Sequence, residues 1–425
     1  MAKIPKIFKL GLITLVSGCA AHADSSTIAC LPMQDALKLS VFNSPSVAAA
    51  EAAKDRALAD VTDARAIRRP QLSAFARTQT GDEGLTGAGI ENTVGLRASQ
   101  RVYDFGVSRL NRQAAESFVE ARRFSIESAK TTAALDTAEA YVGLIEIEAR
   151  LSITADREAF FKRQLTATEA ALDLGAATRA DLADIAARSA EAAADRLELT
   201  FERDRLSTVL ASDVGEVIRP CAAGTLGQRA DATGSIIDRV DSALRSNSDL
   251  QVLSAEIDAQ ETAVERSTRN RLPAIDLVGV ASYAYDNRIG DWEYRDRIGI
   301  DVSVPILSGN ALNAERRRTG AELSIRRSER EIFRRDLIEA VEVSSRRLLS
   351  LQAQFIRRQD VVDRQTDQFA AAETEFEAGV RTLPELVEDR LELEAARLLA
   401  VTIEFSLARE RINLRALTGD LVDGF

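Results

Sequence analysis

Apolar positions along the chain follow two spacings, one helical and one strand-like, and the order in which the two regimes appear is used twice. In the final helical stretch Leu391, Leu398, Phe405 and Ile412 recur every seven residues. Leu386, Leu393, Ala400, Leu407 and Leu414 do the same on a stripe roughly 200° away. Two seams give one helix two lateral partners, which a wall of helices requires and a two-stranded coiled coil does not, a buried helix in an ordinary bundle being the alternative. The strand-like regime is clearest where Ile298, Ile300, Val302 and Val304 alternate with Arg297, Gly299, Asp301 and Ser303. One face of such a strand suits lipid and the other suits water, a soluble antiparallel sheet with one buried face being the alternative.

The order reads helix, two strands, a long helix, a tight turn and another helix, first over 34–220 and again over 234–418. Val41, Val47 and Pro70 correspond to Leu244, Leu250 and Pro273 at a displacement of 203. Gly95, Leu96 and Ser99 correspond to Gly299, Ile300 and Ser303, and Gly175, Thr178, Asp181 and Leu182 to Gly379, Thr382, Glu385 and Leu386, at 204. The change of one places an inserted residue inside the hairpin. The first helix is expected to run unbroken from about Gln34 to Arg68 and to stop at Pro70, because proline disfavours helix in the residue before it. Hairpins follow over 71–102 and 274–304, then helical patterns of roughly 65 residues, close to 100 Å long. Residues 221–233 read as a linker between repeats and 419–425 as a tail.

No stretch of 18 consecutive apolar residues occurs outside the leader, so a membrane span requires a closed β-barrel. Four strands cannot close one; two chains give eight strands and three give twelve, and only the wider barrel leaves a useful lumen. Twelve strands from three chains is the expected assembly. Tyr283, Tyr285 and Trp292 lie toward a hairpin end, where amphipathic aromatics sit at a membrane interface.

Composition narrows the function. The formal net charge of -11 argues against a nucleic-acid partner. The sole histidine, His22, lies in a leader, which leaves the mature chain without a histidine base or metal ligand. With no phosphate-cradling glycine motif either, an enzyme and a bound cofactor are not expected. Residues 1–23 combine Lys3, Lys6 and Lys9 with an apolar run and read as a signal peptide. Two processing sites compete: a lipobox-like Val16-Ser17-Gly18-Cys19, which would lipidate Cys19, and Ala21-His22-Ala23. In an oxidising periplasm Cys30 and Cys221 are expected to pair, two separate buried thiols being the alternative.

The segments Asn43-Ser44-Pro45-Ser46-Val47, Arg69-Pro70-Gln71-Leu72 and Tyr103-Asp104-Phe105-Gly106, with Asn247-Ser248-Asp249-Leu250, Leu272-Pro273 and Pro305-Ile306-Leu307-Ser308-Gly309, resemble the TolC-like outer-membrane efflux protein family. Ser308 departs from the aspartate usual there. The resemblance covers about Gln34 to Leu417 and implies a mainly α fold with a β-barrel contribution: a trimeric α-barrel continued by a shared 12-stranded barrel in the outer membrane. It further implies periplasmic tips at 174–182 and 379–386 that meet an adaptor (membrane fusion) protein, with Leu174, Gly175, Thr178, Arg179, Asp181, Leu182, Gly379, Arg381, Thr382, Glu385 and Leu386 as contacts. Energy would come from an inner-membrane ABC or proton-driven transporter, in type I secretion or small-molecule efflux. The chemistry of the tips is also that of glycine helix stops and capping boxes. A periplasmic coiled-coil adaptor is the competing reading, and the paired strand hairpins argue against it.

Overall fold

The computed structural model describes residues 30–82, 88–221, 235–286 and 290–421. The signal peptide, Cys19, nearly all of the 221–233 linker and residues 422–425 of the tail lie outside them. Element order is α1 (Met33–Asn43), α2 (Pro45–Ala66), β1 (Gln71–Asp82), β2 (Ala88–Tyr103), α3 (Val107–Asp173) and α4 (Arg179–Val214). It continues α5 (Ile236–Ser246), α6 (Ser248–Arg269), β3 (Ala274–Asp286), β4 (Asp291–Ser303), α7 (Ala311–Glu377) and α8 (Leu383–Thr418).

The first helix of each repeat is broken, which corrects the expectation of one helix from Gln34 to Arg68. Ser44 is extended (φ -68°, ψ 121°) and Pro45 opens α2. The proline ring drives the preceding residue out of the helical region, and its missing N–H is no loss in a first turn. Asn247 makes the equivalent break (φ -65°, ψ 119°) by capping: its Oδ1 accepts from the Leu250 N–H at 3.1 Å.

Helices α3 and α7 each run 67 residues, roughly 100 Å, and set the height of the molecule. Toward the sheet α3 packs on α2 and α6, and beyond them on α4 and α8, while α7 packs on α6, α5 and α8. Short helices stacked end to end therefore flank each long one. Three apolar clusters bind this wall. One gathers Tyr141, Leu37, Leu210 and Phe405, one Phe160, Phe161, Phe369 and Leu393, and one Val341, Leu348, Leu407 and Leu414. Each fully buried side chain of this size contributes about 1.5–3 kcal/mol.

Cys30 and Cys221 form a disulfide with Cα atoms 4.8 Å apart. Tyr141 supports it: its hydroxyl donates to the Leu31 carbonyl at 2.8 Å and accepts from the Cys221 N–H at 2.9 Å. The chain entering α1 and the chain leaving α4 are thus fastened to the middle of α3.

The four strands form one antiparallel sheet in the order β1-β2-β3-β4. Gln71 stands opposite Ser99 and Ala274 opposite Ser303, the same register in both hairpins once the displacements of 203 and 204 are applied. No helix among the described residues is long and apolar enough to cross a membrane.

Candidate functional site: a two-faced sheet and two helical tips

The sheet separates its residues by face. Leu72, Val94, Leu96, Leu277, Ile298, Ile300 and Val302 are exposed on one face although large and apolar. Tyr283 meets Tyr294 and Tyr285 meets Trp292 across the β3–β4 pair, at ring separations of 5.3 and 5.5 Å. A sheet in water hides such a face, whereas lipid rewards it. The other face carries Ser73, Arg77, Thr93, Arg97, Arg295 and Arg297 around a cleft of about 510 Å³. Arg101 there binds both carboxylate oxygens of Asp276, at 2.9 and 3.1 Å. Polar groups suit a water-filled lumen.

At the far end of the wall each helical hairpin turns in the same way. Gly175 (φ +73°) follows α3 and Gly379 (φ +75°) follows α7. The Gly175 and Ala176 amides donate back to the Leu172 and Ala171 carbonyls at 2.9 and 2.8 Å. Gly379 and Val380 do the same to Phe376 and Glu375, both at 3.0 Å. These paired bonds satisfy orphan carbonyls and need a left-handed residue, which glycine supplies without a Cβ clash. Asp181 accepts from the Thr178 N–H at 2.9 Å, and Glu385 from the Thr382 N–H at 2.8 Å. The amide and hydroxyl of Thr178 hold the Asp181 carboxyl below its usual range, and those of Thr382 do the same for Glu385.

The tip residues singled out from the sequence come together in space but do not share one environment. Leu174 is 85% exposed and Val380 79%, and Arg179 is exposed as well. Leu182 is half-buried. Leu386, expected as a surface contact, is 1% exposed and packs in the cluster of Phe160, Phe161 and Leu393, because it belongs to an apolar stripe of α8. Arg381 turns back onto its own hairpin, reaching Glu375 at 3.2 Å and the buried Asp389, whose other oxygen accepts from Gln368 Nε2 at 2.7 Å. Between the two tips lies a cleft of about 380 Å³ lined in part by Ala171, Ala176, Asp181, Phe376, Arg381 and Pro384.

Behind the tips, the α3–α8 seam holds charges that heptad reading passes over. Arg157 pairs with Glu394 at 3.2 Å and also contacts Asp195 of α4. Arg390 lies 5.5 Å from the ring centres of both Phe160 and Phe369. Burial in this seam pushes the Glu394 carboxyl above its usual range against the pull of Arg157, and lowers Arg390. The Lys162 ammonium and the Arg196 guanidinium hold the nearby Glu158 carboxyl below its usual range. The only sequence signal was a charge set one turn from Leu386 and Leu393, and that position reads equally well as solvent-facing.

The outer membrane efflux protein family model matches residues 36–211 and again 240–420. The chain belongs to that family. Outer membrane efflux protein BepC of Brucella suis is 23% identical over 367 residues, covering 85% of this chain and 79% of that protein. Proteases secretion protein PrtF of Dickeya chrysanthemi is 27% identical over 191 residues, covering 42% of this chain, which matches only 40% of that protein's length. Among solved structures, the CmeC outer membrane channel of Campylobacter jejuni superposes with a TM-score of 0.78 at 14% identity, over 92% of this chain and 86% of that one. The family, the two-faced sheet and the long helical wall make this protein an outer-membrane exit duct with a periplasmic extension.

Proposed function

We propose that three copies of this chain assemble the duct, their sheets joining into one barrel of twelve strands and their helical walls into one tube. The observation that carries this reading is the sheet itself: β1 and β4 are edge strands, and every residue of β4 is exposed. Bare edges with an apolar face are unstable in lipid until another strand pairs with them. The assembly is a conduit with no catalytic step of its own. Its tips dock a periplasmic adaptor protein, and an inner-membrane ABC or proton-driven transporter supplies the energy, because the tips are what an inner-membrane assembly can reach.

Leu174, Val380 and Arg179 are the side chains best placed to meet an adaptor, and Gly175, Thr178, Asp181, Gly379, Thr382 and Glu385 hold the turns that present them. Arg381, Leu182 and Leu386 shape the tip from within. The name of PrtF speaks for a secretion partner and that of BepC for an efflux partner, so the cargo is either a polypeptide or a small molecule.

The test is membrane fractionation of a Gram-negative host expressing the protein, followed by gels of unboiled and boiled samples. An outer-membrane band at trimer size that collapses on heating is expected. A soluble monomer would overturn the reading.

A further inference from the structure

The seam that would join one copy to the next has a template inside the chain, because β2 of the first repeat already pairs with β3 of the second. In that seam Ala98 stands opposite Gly279, Arg97 opposite Val280 and Leu96 opposite Ala281. β4 corresponds to β2 at a displacement of 204 and β1 to β3 at 203, and the identical registers of the two hairpins show these displacements to be structural equivalences. Carrying the internal seam through them places Val302 opposite Ala76, Asp301 opposite Arg77 and Ile300 opposite Thr78.

We propose that β4 of one copy pairs with β1 of a second copy in this register, with an Asp301–Arg77 ion pair on the lumen side. The inference rests on the trimeric reading above and adds a register and named partners to it. Three observations converge on it. Asp301 and Arg77 are both exposed on the polar face, and neither has an ion-pair or hydrogen-bond partner for its side chain among the described residues. Slipping the register by one residue would set the lipid face of one strand against the lumen face of the other. A slip of two keeps the faces but puts Asp301 opposite Phe75 or Gln79. Only the templated register joins the two charges.

The third observation is a glycine. At Gly95 a Cβ would lie 2.6 Å from the Ala281 carbonyl oxygen and 2.7 Å from the Ser282 Cβ, so the internal seam needs glycine there. Gly299 is its equivalent in β4, and a Cβ on Gly299 would meet nothing within 4 Å. Within one chain that glycine has no steric task; against the β1 of a second copy it acquires the one Gly95 performs.

Cysteine cross-linking in the intact outer-membrane protein tests this, with Cys30 and Cys221 kept in their disulfide. Within one chain β1 and β4 are three strand spacings apart, about 14 Å, beyond disulfide reach, so any cross-link joins two copies. The Ala76→Cys/Val302→Cys variant is expected to run as covalent dimer and trimer under non-reducing conditions, and Ala74→Cys/Val302→Cys to cross-link at least tenfold less. Arg77→Asp and Asp301→Arg should each lower the temperature at which the unboiled trimer dissociates, and the double reversal should recover it. A trimer in which the offset pair cross-links as well as the templated pair, or in which the double reversal gives no recovery, overturns the register. Failure of the wild-type protein to form any trimer overturns the trimeric reading, and the register falls with it.

Discussion

Replacing Phe160 with alanine probes the joint between the two hairpins near their tips. Phe160 is 1% exposed, meets Phe161 and Phe369 edge-on at 5.2 and 5.9 Å, and lies under the Arg390 guanidinium. Truncating a buried phenylalanine costs about 3–5 kcal/mol through lost transfer energy and the cavity left behind. Because the cluster draws on α3, α4, α7 and α8, the loss should appear as local opening of the tip half. At tenfold per 1.4 kcal/mol, amide exchange in the lower turns of α3 and α8 should accelerate roughly a hundred- to a few-thousand-fold. The Tyr141 cluster lies 19 residues away along α3, about 28 Å, and its amides should change little. Hydrogen exchange read by mass spectrometry on the purified protein resolves both regions. Equal acceleration in the two clusters, or none at the tips, would refute the picture of a wall held by separate apolar joints.

Other expectations follow from the same contacts. Gly175→Ala and Gly379→Ala force a side chain into a left-handed residue and should each cost about 1 kcal/mol, seen as faster exchange confined to the adjoining turns. Cys30→Ser with Cys221→Ser removes a link across a separation of 191 residues and should cost about 2–5 kcal/mol, read as a lower unfolding temperature and loss of the non-reducing gel shift. The tip half should also respond to pH in two opposed steps. Glu394 has a raised pKa in the fold, so the penalty for its charge is relieved as pH falls through that value, and the protection factors of α8 amides, which remove the intrinsic pH dependence of exchange, should rise. Glu158 has a lowered pKa, so its contribution is full above the ordinary glutamate value and is lost as pH falls further, and the protection factors should drop again. Glu394→Gln should abolish the first step alone; a variant that keeps both would contradict the assignment.

Long-range architecture was legible because it rests on repetition and period, which survive in a single sequence. The two-seam pattern of Leu386, Leu393 and Leu407 against Leu391, Phe405 and Ile412 encodes lateral neighbours, and the structure sets Phe405 and Leu407 in different clusters. The breaks at Ser44 and Asn247 were harder to see. A proline at a first helical turn and an asparagine cap are compatible with a kinked helix as well as a broken one, and tertiary packing decides between them. The environments of individual tip residues were least legible. Leu386 belongs to a stripe and to a tip at once, and only the fold says that the stripe prevails. Arg157, Arg390 and Glu394 became a buried charge layer because α3 and α8, distant in sequence, close over them.

Three copies of the chain would form a threefold duct whose helical wall continues a membrane barrel. Electron cryomicroscopy of the detergent-purified protein tests it most directly. A threefold particle is expected, with a barrel of twelve strands and a hollow helical tube extending roughly 100 Å from it. A compact particle, a different symmetry or a solid helical bundle without a lumen would contradict it.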